Sequence, residues 1–170
     1  MITQRLGMLS VFFGMLCMSN CCSDEAIAGE FVFEPSLCEF SVTFPVKYKQ
    51  RKIIKNGTAG TAATARVSNL TSLGAECWPY IEKLQIETFA RNMEIEAQQR
   101  GLSVNSVIID KSSNVGERII LTGWLKTGGQ KVYVKIISIM GTKSRLDLTI
   151  ADCEIASRTQ VDFRNSVKRK

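Results

Sequence analysis

A single long amphipathic stretch, Cys77–Gly101 (CWPYIEKLQIETFARNMEIEAQQRG), interrupts a chain whose flanks read as β. It is the only segment both long enough and polar enough to form a full surface helix. Pro79 suits a first helical position and Gly101 the position just past the end, which predicts a helix over about 79–100. Ile86, Phe89, Ala90, Met93 and Ala97 fall on one stripe of the helical wheel, the side expected to face a sheet. Glu87 with Arg91 and Glu96 with Arg100 are i,i+4 pairs. Tyr80, Ile81, Leu84, Thr88 and Ile95 make a second, thinner apolar stripe on roughly the opposite side. That stripe has two readings: cover by a terminal segment or long loop, or a partner-binding face.

Around this helix the pattern has the period of strands. Cys38–Phe44 alternates, with Phe40, Val42 and Phe44 on one face, and Pro45 stops it. Gly60–Ser68 carries small and β-branched residues, suited to a strand packed closely on another element. Val104–Asp110, Glu117–Lys126, Lys131–Met140 and Lys143–Ala151 are further candidates, punctuated by Thr127-Gly128-Gly129 and Gly141-Thr142. The strand at Lys131–Met140 is apolar on both faces, as a central strand should be. In the last strand Arg145, Asp147, Thr149 and Ala151 define a face expected to be wet. Ser157–Val167 is a short helix candidate before the basic end Lys168-Arg169-Lys170. The fold class that follows is α+β: an antiparallel β-sheet, one long helix packed on it and a short C-terminal helix.

Residues 1–28 read as a secretory signal: Arg5, the apolar run Leu6–Met18, and Ala26-Ile27-Ala28 as a cleavage pattern. The run is too short to span a bilayer comfortably. Cys17, Cys21 and Cys22 raise the rival reading of a lipid-anchored protein, acylated at Cys21 or Cys22, although neither has the usual small residue before it. An uncleaved anchor is the third reading. The remaining 29–170 form one globular domain, expected to be extracytoplasmic, periplasmic or secreted.

Cleavage would leave three of the six cysteines, Cys38, Cys77 and Cys153. In an oxidising compartment they predict one disulfide and one leftover thiol. Three pairings are open. Cys38–Cys77 is favoured because each borders a predicted element, with Cys153 as the alternative partner. Scattered cysteines and the absence of histidine argue against a metal site.

The composition narrows the chemistry further. With 170 residues and no histidine, the chain lacks the commonest general base, and every Ser-His or Cys-His pair is excluded. Gly141-Thr142-Lys143-Ser144 superficially resembles a phosphate loop but lacks the required spacing, and a hairpin turn explains it better. Asp152 and Glu154 beside Cys153 are too few for a calcium site. Glu76 next to Cys77 offers no positive group to activate the thiol. No cofactor site, metal site or catalytic constellation is expected, and the chain reads as a non-enzyme.

The net charge of +6 points to acidic partners. Its densest part is Lys47, Lys49, Arg51, Lys52 and Lys55, enclosing Ile53-Ile54. One reading is contact with phosphate, a lipid headgroup or an acidic protein; the other, favoured one, is a solvated strand edge guarded by lysine. Nucleic acid fits poorly, because only Tyr48 interleaves with the charges.

Three motifs, Phe40-x-Val42-x-Phe44-Pro45, Gly141-x-x-Ser144-x-Leu146-x-Leu148 and Phe163-x-x-Ser166-Val167, occur in an order of elements that resembles the α/β/α sandwich of the PsbP/Mog1-like superfamily. The resemblance spans most of residues 38–167. It implies an accessory or binding protein without a catalytic centre, as in lumenal photosystem subunits, a nuclear-transport GTPase partner and small exported bacterial proteins. No functional residue carries over. The resulting expectation is an exported accessory or binding protein of the cell envelope. It would engage a protein partner or acidic surface through Lys47–Lys55 or through Tyr80, Ile81, Leu84 and Ile95. The alternatives are a lipid-anchored surface protein and a small-ligand-binding module, with membrane contact expected only if Cys21 or Cys22 is lipidated.

Overall fold

Alternation of apolar side chains gives each strand two usable faces, and the chain spends them on two different layers. The computed structural model describes residues 30–55, 57–69, 71–79, 85–152 and 158–170. Residues 1–29, with the expected signal and its three cysteines, lie outside that range. So do Tyr80, Ile81, Leu84, Cys153 and Glu154.

The main body is a seven-stranded antiparallel sheet. Its strands are β3 (Lys49–Lys55), β4 (Thr58–Arg66), β5 (Ser72–Pro79), β6 (Ser103–Asp110), β7 (Glu117–Thr127), β8 (Gln130–Met140) and β9 (Ser144–Asp152), in the order β3-β4-β5-β9-β8-β7-β6. A second, three-stranded sheet is built from β1 (Phe31–Phe33), β2 (Phe40–Phe44) and β10 (Lys168–Arg169), with β2 in the middle. Helix α1 (Ile86–Gln99) lies between β5 and β6 in sequence, and α2 (Arg158–Asn165) between β9 and β10.

β8 shows how one strand serves both layers. Val132, Val134, Ile136 and Met140 join Phe89, Ala90, Met93 and Ala97 of α1, while Ile137 and Ile139 point the other way. On that second face they meet Leu146, Leu148 and Ile150 of β9, Phe40, Val42 and Phe44 of β2, and Phe163 of α2. The sheet is thus sandwiched between α1 on one side and the small sheet with α2 on the other. Burial on both faces explains the continuous apolar run of β8.

The α+β architecture agrees with the sequence expectation, but the helix is shorter than 79–100. Cys77, Trp78 and Pro79 are the end of β5, opposite Leu146, Arg145 and Ser144 of β9. β5 alternates Leu73, Ala75 and Cys77 toward the outer layer, and pairing on both of its edges wins over the helix-start signal of Pro79. Gln85 supplies the first carbonyl of α1, accepting from Phe89 N–H at 3.0 Å, with no side-chain cap. At the other end Gly101 takes a φ of +84°, and Leu102 N–H bonds back to Ala97 O at 3.0 Å.

Cys38 and Cys77 form a disulfide with Sγ atoms 2.04 Å apart. It joins the loop before β2 to β5, and so links the outer layer to the main sheet rather than to the start of the helix. The basic C-terminal residues are not a free tail: Lys168 and Arg169 pair with Ser41 and Phe40 of β2.

Candidate binding surfaces at the sheet edge

Most of the cationic segment Lys47–Lys55 folds as β3, the edge of the seven-stranded sheet; Lys47 precedes the strand, and among the described residues β3 pairs with β4 alone. Strand alternation divides its side chains. Lys49, Arg51, Ile53 and Lys55 stand opposite Thr64, Ala62, Gly60 and Thr58 and take the face that carries α1. Gln50, Lys52 and Ile54 take the other face. Lys47, Lys49, Arg51 and Lys52 are exposed, and Ile54 is 77% exposed. The cations therefore flank an edge rather than tile one flat patch.

Lys55 departs from the group because it turns inward. Its Nζ lies 5.9 Å from the Trp78 ring centroid. The indole lies over β4, where a Cβ on Gly60 would stand 2.7 Å from Trp78 Cε3 and 2.8 Å from Cys77 O, so glycine there makes room for the ring. Ile53, Ala62 and Trp78 form a small apolar cluster beneath.

Behind Trp78 lies a network of charge. Trp78 Nε1 donates to Glu76 Oε2 at 3.3 Å. Beside Glu76 across the strands, Arg145 bonds Asp147 through Nε at 3.0 Å and Nη2 at 2.9 Å. Ser138 Oγ donates to Asp147 Oδ1 at 2.6 Å, and the Arg145 guanidinium sits 4.6 Å from the Phe89 ring centroid. Burial raises the Glu76 carboxyl, and the Asp147 charge raises it further. Burial pulls the Lys55 ammonium down to about 8, against the attraction of Glu96 and with help from Arg145. Perturbed groups gathered on one face mark a functional candidate. Within this network the signs largely compensate one another, which suits holding charge in place better than proton transfer.

Sequence reasoning missed this cluster. Arg145 and Asp147 were expected on a wet face, yet α1 covers them and each side chain is only 13% exposed. The available signal was Glu76, a charge set between apolar neighbours in a strand. The other predicted residues fare differently. Ile95 is 46% exposed on α1, away from the stripe that packs on the sheet. Asp152 is buried and accepts from Gln160 Nε2 at 3.0 Å. Among the described residues no group of three or more cysteine and acidic side chains could hold a metal ion.

The Gly141–Ser144 turn does bind an anion, and the anion is the protein's own. The N–H groups of Thr142 (3.1 Å), Lys143 and Ser144 (2.9 Å) all donate to the Glu39 carboxylate, which Arg169 also pairs at 2.7 Å. Burial alone would raise this carboxyl; the backbone donors together with Arg169 outweigh it and hold the pKa at about 2.

Comparison with known proteins finds no matching family model and no matching curated protein.

Proposed function

We propose that this chain is a small exported accessory or binding protein of the cell envelope, acting without a catalytic centre, and that it takes an acidic protein partner along β3. The observation that carries the reading is the open edge itself, with Lys49, Arg51 and Lys52 exposed around an Ile54 that is 77% exposed. Lysine alone would serve to keep an edge solvated. An isoleucine left in water on the same strand adds apolar area that a partner strand or loop can bury. Flanking cations on both faces favour a partner that runs along the edge. The Cys38–Cys77 disulfide supports an oxidising, extracytoplasmic setting. The PsbP/Mog1-like reading fits the same role, on fold analogy.

The test is capture from envelope extract with the mature protein and with the K49E/R51E/K52E variant. The wild type is expected to retain a defined partner. The variant is expected to lose it while keeping its melting temperature. Undiminished capture by a folded variant would remove β3 from the proposal.

A further inference from the structure

The opposite end of the main sheet carries a second basic surface, independent of β3. On the face of the β7–β8 hairpin turned away from α1, three successive rungs read Lys126 opposite Lys131, Trp124 opposite Tyr133, and Thr122 opposite Lys135. Two lysines placed directly across from each other repel and weaken a hairpin. No ion pair among the described residues relieves them. Lys131 Nζ instead stands 5.2 Å from the Trp124 ring centroid, and the Trp124 and Tyr133 rings meet at 5.3 Å and 67°. One rung further, Lys135 is half-buried. Burial lowers its pKa and the neighbouring cation Arg164 of α2 lowers it further, with no carboxylate among the described residues compensating.

Among the described residues, the layers leave this surface open. The small sheet and α2 cover the β5, β9 and β8 part of the face, around Ile137, Ile139, Leu146, Leu148 and Ile150. Toward β6 the cover stops, and Ile108, on the same face, is 52% exposed. The hairpin also outruns its neighbours: β6 ends at Ser103 opposite Trp124, and β9 at Asp152 opposite Tyr133. The result is a ledge beside α2, lined in the order cation, aromatic ring, cation.

We propose that this ledge binds an acidic polysaccharide of the uronate type. Its carboxylates would pair with Lys126, Lys131, Lys135 and Arg164, and its sugar rings would lie against Trp124 and Tyr133. Rungs on one face recur about every 7 Å, twice the rise of a strand residue, so charge and ring alternate on the scale of a sugar chain. Lys135 is half-buried beside Arg164 of α2, which suits a narrow chain better than a flat anionic bilayer. An acidic peptide supplies charge but not the alternating rings.

The experiment titrates the mature protein with oligogalacturonate by calorimetry at low salt, and sediments it with anionic phospholipid vesicles in parallel. Binding of the oligosaccharide is expected, at least about tenfold weaker in K131Q/K135Q and in W124A, with W124F intermediate and every variant melting cooperatively. Three results would overturn the proposal: no binding by the wild type, equal binding by K131Q/K135Q, or association with vesicles only. The K49E/R51E/K52E variant is expected to bind the oligosaccharide like the wild type. Loss there would mean diffuse charge attraction and would also sink the ledge. Partner capture through β3 stands or falls separately.

Discussion

At Glu39 a carboxylate sits where a nucleotide-binding loop would hold a phosphate, ringed by the N–H groups of Thr142, Lys143 and Ser144. Gly141 admits it, because a Cβ there would collide with the carboxyl group. The consequence is a pH signature with a definite sign. The folded pKa of about 2 lies below the usual 4.5, so the folded state favours the carboxylate. This contribution is complete above the unfolded pKa and is lost as pH falls from about 4.5 toward 2. E39Q is therefore expected to lower the melting temperature by about 2–4 °C at pH 7 and by less at pH 2.5, read from thermal melts. An equal loss at both pH values would show that the anion is not what the turn holds. The spacing of Gly141–Ser144 predicts a hairpin turn, but a sequence gives no hint that its N–H groups hold a carboxylate about a hundred positions away.

Among the elements, α1 makes the clearest energetic statement. Only one of its stripes is used against the sheet, through Ile86, Phe89, Ala90, Met93 and Ala97. F89A should cost about 3–5 kcal/mol in denaturant unfolding, whereas I95A should stay within about 0.5 kcal/mol. A large loss at Ile95 would mean that the second stripe is packed after all. The stripe was legible because a 3.6-residue period leaves few choices, and the strands from Val104 onward were legible through alternation and glycine turns. β5 was hidden for physical reasons. Its residues include Gly74, Glu76 and Pro79, each a poor strand signal, and the pairing with β4 and β9 that overrides them is non-local. The charge network around Glu76 and Asp147 was hidden for the same reason: it needs β5 and β9 to be neighbours.

For the molecule as a whole, the Cys38–Cys77 bond ties the outer layer to the main sheet across a sequence separation of 39. Loop-closure entropy puts its contribution at about 3–4 kcal/mol. The C38S/C77S variant should unfold at correspondingly lower denaturant, and reductant should shift the wild type to the same midpoint but leave the variant unmoved. A reductant effect on the variant would point to a different thiol. The outer layer has one more property. β2 takes β1 from one side and β10 from the other, and Thr43 N–H reaches Ser166 Oγ over 123 residues. The β1–β2 pairing is local, but the β10 side closes a loop of more than a hundred residues, and such a loop must close before any contact rewards it. The outer layer is therefore completed from its β10 side after the β1–β2 hairpin, and until then Phe40, Val42 and Phe44 lack part of their cover. A chain built this way offers an apolar strand to chaperones until its last helix and strand are in place.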